Sequence, residues 1–282
     1  MAIFDGLYQY IYIYSNINLL PPSTLHLPTT PSLLDNYYFI FLGNASTTRN
    51  HNSSRFGKYI QLQFSHGNHV VGASIQTYLL EKTRVVYQCD GARNFHIFYQ
   101  MLFGGNEREM RNWLLPNVLS SDNLNYVKLN RSEDACNQKD KQDFIITKQA
   151  MCNVGLSRSQ QQELFKVLSG ILHLGNVEFI SDDDVTGPCE IDSEKQGVDT
   201  TYVNAAAQLL GLDVDALTRC LAFRQITASH KHRKSVFMKP CLKDECHTRR
   251  DCLAKLLYAS ICLFTDLLYI QNKPTEDVVH IQ

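Results

Sequence analysis

Asn50-His51-Asn52-Ser53-Ser54-Arg55-Phe56-Gly57-Lys58 sets a run of small polar side chains directly before an alternating apolar stretch, Tyr59–Phe64 (Y-I-Q-L-Q-F). A period of two predicts a strand with one buried face. His66-Gly67-Asn68 then reads as a turn and Val70–Ile75 as a returning strand, which together make a β-hairpin. Ser and Asn bond their own backbone, so the first five residues suit a turn. They also suit a phosphate and Mg²⁺ contact loop. A Ser hydroxyl can ligate Mg²⁺, which keeps most of its waters and takes few protein oxygens. Asn amides and a second Ser can orient phosphate oxygens and an attacking water. Arg55 can pair bidentately with a carboxylate or phosphate.

Outward from this hairpin, Phe95–Phe103 is apolar on most sides, as a buried helix is, and Gly104-Gly105-Asn106 ends it. In Gln160–His173 the residues Leu164, Phe165, Val167, Leu168, Ile171 and Leu172 recur at helical spacing, with Ser159 as N-cap and Gly175 as a left-handed C-cap. Val177–Ile180 reads as a short strand, Ser181–Gly197 as an acidic loop, and Thr200–Leu210 as a helix closed by Gly211. Phe223–Thr227 and Val236–Lys239 are the arms of a hairpin around a basic tip. A long helix starts at Thr248, turns Leu253, Leu256, Leu257, Leu263, Phe264, Leu267 and Leu268 inward, and stops at Pro274. The fold class is α/β, mainly helical, without an internal repeat.

Composition narrows the function classes. The 282 residues carry 27 Lys+Arg against 28 Asp+Glu, which excludes a global field for nucleic acid or an anionic membrane. The hydrophobic fraction of 44% and charged fraction of 20% exclude a disordered chain. Nine Cys without a C-x-x-C pair point to free thiols in a reducing compartment rather than to a disulfide framework or zinc finger. Residues 1–40 differ in kind from 41–282. No Lys or Arg precedes Arg49, and six of the 14 Tyr lie at or before Tyr38. This start lacks the positive n-region of a signal peptide and is too interrupted to span a bilayer. Pro21, Pro22, Pro28 and Pro31 suit an extended linker, and a β-rich edge segment of the same domain is the alternative.

N-H-N-S-S-R-F-G-K at 50–58 resembles the switch I signature of the myosin motor domain. Gly43-Asn44-Ala45 precedes it as in that family. I-Q-T-Y-L-L-E-K-T-R-V at 75–85, R-N-F-H-I-F-Y-Q at 93–100 and L-S-G-I-L-H-L-G-N-V-E-F at 168–179 resemble further family blocks, over about residues 41–258. V-G-A-S-I-Q-T-Y-L-L-E-K-T-R-V at 71–85 and K-P-C-L-K-D-E-C-H-T-R-R-D-C-L-A-K-L-L-Y at 239–258 are most similar to class XIX. The resemblance implies part of a P-loop NTPase-type myosin motor: switch I, transducer strands at Tyr59–Phe64 and Val70–Ser74, and the upper 50-kDa subdomain. It implies an actin-activated ATPase that uses ATP and Mg²⁺ and moves along actin filaments. Asn50 would contact nucleotide phosphate, Ser53 would position the lytic water, Ser54 would ligate Mg²⁺, and Arg55 would pair with the glutamate of switch II. Ser229–Lys234 matches an actin-contacting hairpin loop, which makes Lys231, Arg233 and Lys234 the actin-contact candidates. The implied location is cytoplasmic and cytoskeleton-associated, at the mitochondrial outer surface if class XIX. Light chains would bind a neck outside this stretch.

Two family motifs do not occur in these residues. The P-loop needs G-x-x-x-x-G-K followed by Ser or Thr, and the only Gly-Lys pair is Gly57-Lys58. The switch II pattern D-x-x-G-F-E also has no match, since Pro188-Cys189 follows Asp184-Val185-Thr186-Gly187. The expectation is a middle slice of a motor that does not itself hydrolyse ATP. Arg55 then lacks its acidic partner, and the long helix and the first hairpin lack packing partners. The alternative is a non-catalytic truncated product with at most weak actin binding. After Ala259 the resemblance weakens, where S-I-C-L-F-T-D-L-L interrupts the expected helix. Cys241, Cys246, His247 and Cys252 fit no common zinc spacing. His96, His173 and Trp113 read as core residues. Lys231-His232-Arg233-Lys234 lacks the aromatic interleaving of a nucleic-acid patch, so no nucleic-acid partner is expected.

Overall fold

A computed structural model describes residues 42–67, 70–115, 124–128, 134–153, 156–181, 188–195, 200–230 and 233–271. The segment 1–40, the decoy Asp184–Gly187, Lys231, Pro274 and the side chains of Leu263, Phe264, Leu267 and Leu268 lie outside the described residues. Among the described residues, strands form four antiparallel two-stranded ribbons: β1 (Asn44–Ala45) with β2 (Ser53–Ser54), β3 (Gly57–Phe64) with β4 (Val70–Tyr78), β5 (Phe179–Ile180) with β6 (Glu190–Ile191), and β7 (Phe223–His230) with β8 (Arg233–Pro240). The helices are α1 (His96–Gly104), α2 (Glu107–Asn112), α3 (Asp134–Asn153), α4 (Arg158–Gly175), α5 (Tyr202–Leu210), α6 (Val214–Ala222) and α7 (Lys243–Gln271). A 3-10 turn covers Lys82–Val85.

The predicted apolar stripe of α4 is the centre of the core. Leu164, Phe165, Leu168, Ile171 and Leu172 are all buried, and the helix packs on α5 and α7. Trp113, Phe144 and Phe165 form an aromatic cluster with centroids 5.2–6.2 Å apart. The N-cap is Ser157 rather than Ser159. Ser157 Oγ accepts from Gln160 N–H at 3.3 Å and Gln160 Oε1 accepts from Ser157 N–H at 2.9 Å, a reciprocal capping box that Ser159 cannot make. Gly175 is not a left-handed cap. It ends the helix beneath the Tyr126 ring, where a Cβ would lie 2.6 Å from a ring carbon. Gly211 does close α5 in the left-handed region, at φ 65°.

Further expectations change. The long helix does not lack partners: α7 packs on α4, α6, β4 and the 3-10 turn, and buries Leu253, Ala254, Leu257, Tyr258 and Ile261. The Tyr258 ring stacks on Phe95 at 4.7 Å and its hydroxyl donates to the Leu42 carbonyl at 2.6 Å. The helix also starts earlier, at Lys243, because Glu245 Oε2 accepts from Leu242 N–H at 3.1 Å, and it continues through Ser260–Leu268 to Gln271. Conversely, β3 shows no buried face among its described side chains. Tyr59 is 58% and Leu62 48% exposed, while the partner strand β4 packs on α7, so the first hairpin does not lack a packing partner either.

Candidate functional site

The loop Ser46–Asn52 is closed by its own polar groups. Thr47 N–H donates to the Asn50 carbonyl at 2.9 Å, and Asn52 N–H donates to Asn50 Oδ1 at 2.9 Å. Asn44 Nδ2 donates to Asn52 Oδ1 at 3.0 Å, so the loop is tied to the strand that opens it. That strand, β1, pairs Asn44 with Ser54 and Ala45 with Ser53. Ala45 also bridges to Phe95 at the head of α1. Asn94 fixes this head from the core side. Its Nδ2 donates to the Val85 and Tyr126 carbonyls at 2.8 Å each, and its Oδ1 accepts from Phe95 N–H at 2.8 Å. The polar loop is therefore an anchored element rather than a simple surface turn.

Asn50 lies in this loop, and Ser53, Ser54 and Arg55 follow it on and after β2. Asn50 and Ser54 are exposed, and Ser53 and Arg55 half-buried. Asn50 Oδ1 is used within the loop, which leaves its Nδ2 a donor toward an external oxygen. Ser54 Oγ donates to the Phe56 carbonyl at 3.0 Å, which uses its proton and leaves the lone pairs of this exposed residue to accept or ligate. Ser53 Oγ accepts from Arg55 Nη1 at 3.1 Å. This donor set suits a phosphate-bound Mg²⁺: one hydroxyl oxygen, one amide donor, and otherwise water.

Arg55 does not lack an acidic partner. Its Nε donates to Glu81 Oε2 at 2.6 Å, and the same oxygen accepts from Arg84 Nε at 2.8 Å. Burial pushes the Glu81 carboxyl up, but hydrogen bonds from the two arginines outweigh it and hold the group below its ordinary range. Glu81 lies in the quoted block at 75–85, yet the sequence does not show that it faces Arg55. His96 sits behind the loop with its ring bonded to the His51 backbone. Burial and the charges of Arg93 and Lys139 lower its pKa to about 4.

Of the distal candidates, Lys231 lies outside the described residues. Arg233 and Lys234 open β8, opposite His230 and Ser229. Cys241 and Cys246 are buried, His247 is half-buried and Cys252 exposed. Burial, with Cys189 beside it, pushes the Cys246 thiol up to about 12. Among the described residues no group of three or more His, Cys, Asp or Glu is placed to hold a metal ion.

The myosin head (motor domain) family matches residues 33–276 of the chain. The chain belongs to the myosin motor family. Unconventional myosin-XIX of Xenopus laevis is 48% identical over 231 residues, 82% of this chain and 22% of that protein. Unconventional myosin-XIX of Homo sapiens is 46% identical over 220 residues, 78% of this chain and 21% of that protein. The myosin-K heavy chain of Dictyostelium discoideum is 42% identical over 78% of this chain and 24% of that protein. The chain thus spans about a fifth to a quarter of the length of these myosins. The mixed helices and strands of the fold, helices predominating, are those of a myosin motor fragment. No described helix is long and apolar enough to cross a membrane.

Proposed function

We propose that the chain is the switch I, transducer-strand and upper 50-kDa part of an actin-based motor that couples Mg-ATP hydrolysis to movement along actin filaments. The observation that carries this is the anchored loop: in a myosin chain, Asn50, Ser53, Ser54 and Arg55 stand together, two exposed and two half-buried. Asn50 Nδ2 would donate to a phosphate oxygen. The Ser53 hydroxyl would orient the attacking water, and Ser54 Oγ would be the one protein hydroxyl on Mg²⁺. Arg55 would meet the switch II glutamate with guanidinium N–H groups beyond those on Glu81 and Ser53. Phosphoryl transfer rests on positioning and charge stabilisation, so this wall works only with the opposing phosphate cradle. By itself the 282-residue chain is proposed to be inactive.

The motor part is proposed to be residues 41–282, with residues 1–40 before it. The segment before it is separate in kind. Lys231, Arg233 and Lys234 are proposed to meet the acidic actin surface. Similarity to the myosin-XIX proteins favours a cytoskeletal location at the mitochondrial outer surface. Cosedimentation with actin tests the function. A motor head carrying this segment is expected to pellet with actin without ATP and to be released by it. Changing the three tip cations to Ala should weaken pelleting several-fold and flatten its salt dependence. Binding indifferent to both ATP and the substitutions would refute the motor assignment and favour the non-catalytic alternative.

A further inference from the structure

We infer that Glu81 is a positioning residue for Ser53, acting through Arg55. The inference rests on the role of Ser53 as the hydroxyl that orients the attacking water. Three polar contacts form one line from the core to the loop. Arg84 is buried at the inner end, with Nη1 donating to the Arg93 carbonyl at 3.0 Å and Nε to Glu81 Oε2 at 2.8 Å. That oxygen also accepts from Arg55 Nε at 2.6 Å, and Arg55 Nη1 donates to Ser53 Oγ at 3.1 Å. An exposed ion pair would contribute little and would orient nothing. This one differs because its inner arginine has a side chain only 7% exposed and cannot swing with solvent.

The backbone points the same way. Glu81 N–H donates to the Arg55 carbonyl at 2.9 Å, so the two segments are joined by main chain as well as side chain. Two residues earlier, Leu79 adopts φ 56° while 84% exposed. Leucine rarely occupies this left-handed region, and solvent gives it no reason to. The reversal at Leu79 ends β4 and turns Leu80-Glu81 back onto Arg55. At Ser53 the consequence is chemical. Its oxygen accepts from a guanidinium that has no lone pair to offer in return. The Ser53 proton is thereby left to donate elsewhere, to a water or phosphate oxygen at the loop face.

The test combines an activity-free measurement with a kinetic one. In the 282-residue chain, Glu81→Gln should speed amide exchange across residues 53–58 at least 5-fold, and Glu81→Asp should restore most of the protection. Glu163→Gln, which removes an exposed pair with Lys166, should leave that segment unchanged. In the intact motor head, Glu81→Gln should cut single-turnover ATP hydrolysis at least 10-fold, with the Kd of a fluorescent ATP analogue within 3-fold. The Glu81→Gln, Ser53→Ala double variant should fall no further than the worse single variant. Unchanged exchange, additive losses, or parallel losses of affinity and hydrolysis would each overturn the relay. If the unmodified head hydrolyses no ATP, the role of Ser53 fails instead. The exchange result then still decides whether Glu81 holds the loop.

Discussion

The Trp113 carbonyl accepts from Ser169 Oγ at 2.6 Å and from His173 Nε2 at 3.3 Å. A carbonyl can only accept, so Nε2 carries the His173 proton, and the buried Nδ1 has no partner among the described residues. Protonating Nδ1 would place an unpaired charge in the core. Burial accordingly lowers the His173 pKa to about 4, and burial with neighbouring cations lowers that of His96 to about 4. Both folded values lie below the unfolded value of 6.5. Between the two the unfolded chain binds more protons. Stability is therefore full above pH ~6.5, falls as the pH drops toward 4, and levels off below that. Each histidine is worth up to about 3 kcal/mol over this window. Urea melts at pH 7 and pH 4.5 should show a clear loss of midpoint, reduced by His173→Gln; a midpoint independent of pH would refute the assignment. That His173 is a core residue was legible in the sequence from its apolar helix, whereas His96, read the same way, is only half-buried. Which carbonyl holds His173 was not, because Trp113 is 60 positions away.

At the scale of elements, legibility followed periodicity. The α4 stripe, Gly211 and both long hairpins were readable, because each repeats its signal over several residues or stands at an element's end. Helix α3 was not. Its sequence D-A-C-N-Q-K-D-K-Q-D-F-I-I-T-K-Q-A-M-C-N is mostly polar, and its described buried side chains are Asp140, Phe144, Thr147, Ala150 and Met151, a stripe broken by Asp140 and Thr147. Asp140 is held by Arg93, and Thr147 Oγ1 donates to Gln100 Oε1 at 2.7 Å. These partners lie some 47 positions away, where no local pattern reaches. The α4 and β3 elements make opposite predictions. Phe165→Ala, at 0% exposure between Trp113 and Phe144, should cost about 3–5 kcal/mol. Leu62→Ala, at 48% exposure on β3, should stay within about 0.5 kcal/mol in this chain. Denaturant titration of both checks the claim. A large loss at Leu62 would mean that the ribbon is covered.

For the whole molecule, one core holds buried side chains from Leu42 to Ile261, with Ala45 and Phe179 entering it from the short ribbons and α7 packing on β4. Tyr59, Leu62 and Tyr78 on one ribbon, and Val236, Phe237 and Met238 on another, remain exposed. The helical body supports the loop at Asn50–Lys58 from behind, through Asn94, Phe95 and Arg84, and leaves its polar face outward. In the proposed function this face is one wall of a Mg-nucleotide site. The most direct test is the Mg-ATPase of a motor head carrying the segment, unmodified and as Ser54→Ala, with and without actin. The unmodified head should be actin-activated, and removal of the one hydroxyl offered to Mg²⁺ should lower the rate roughly 10²-fold in both conditions. A Ser54→Ala head that hydrolyses ATP at the unmodified rate would contradict the account.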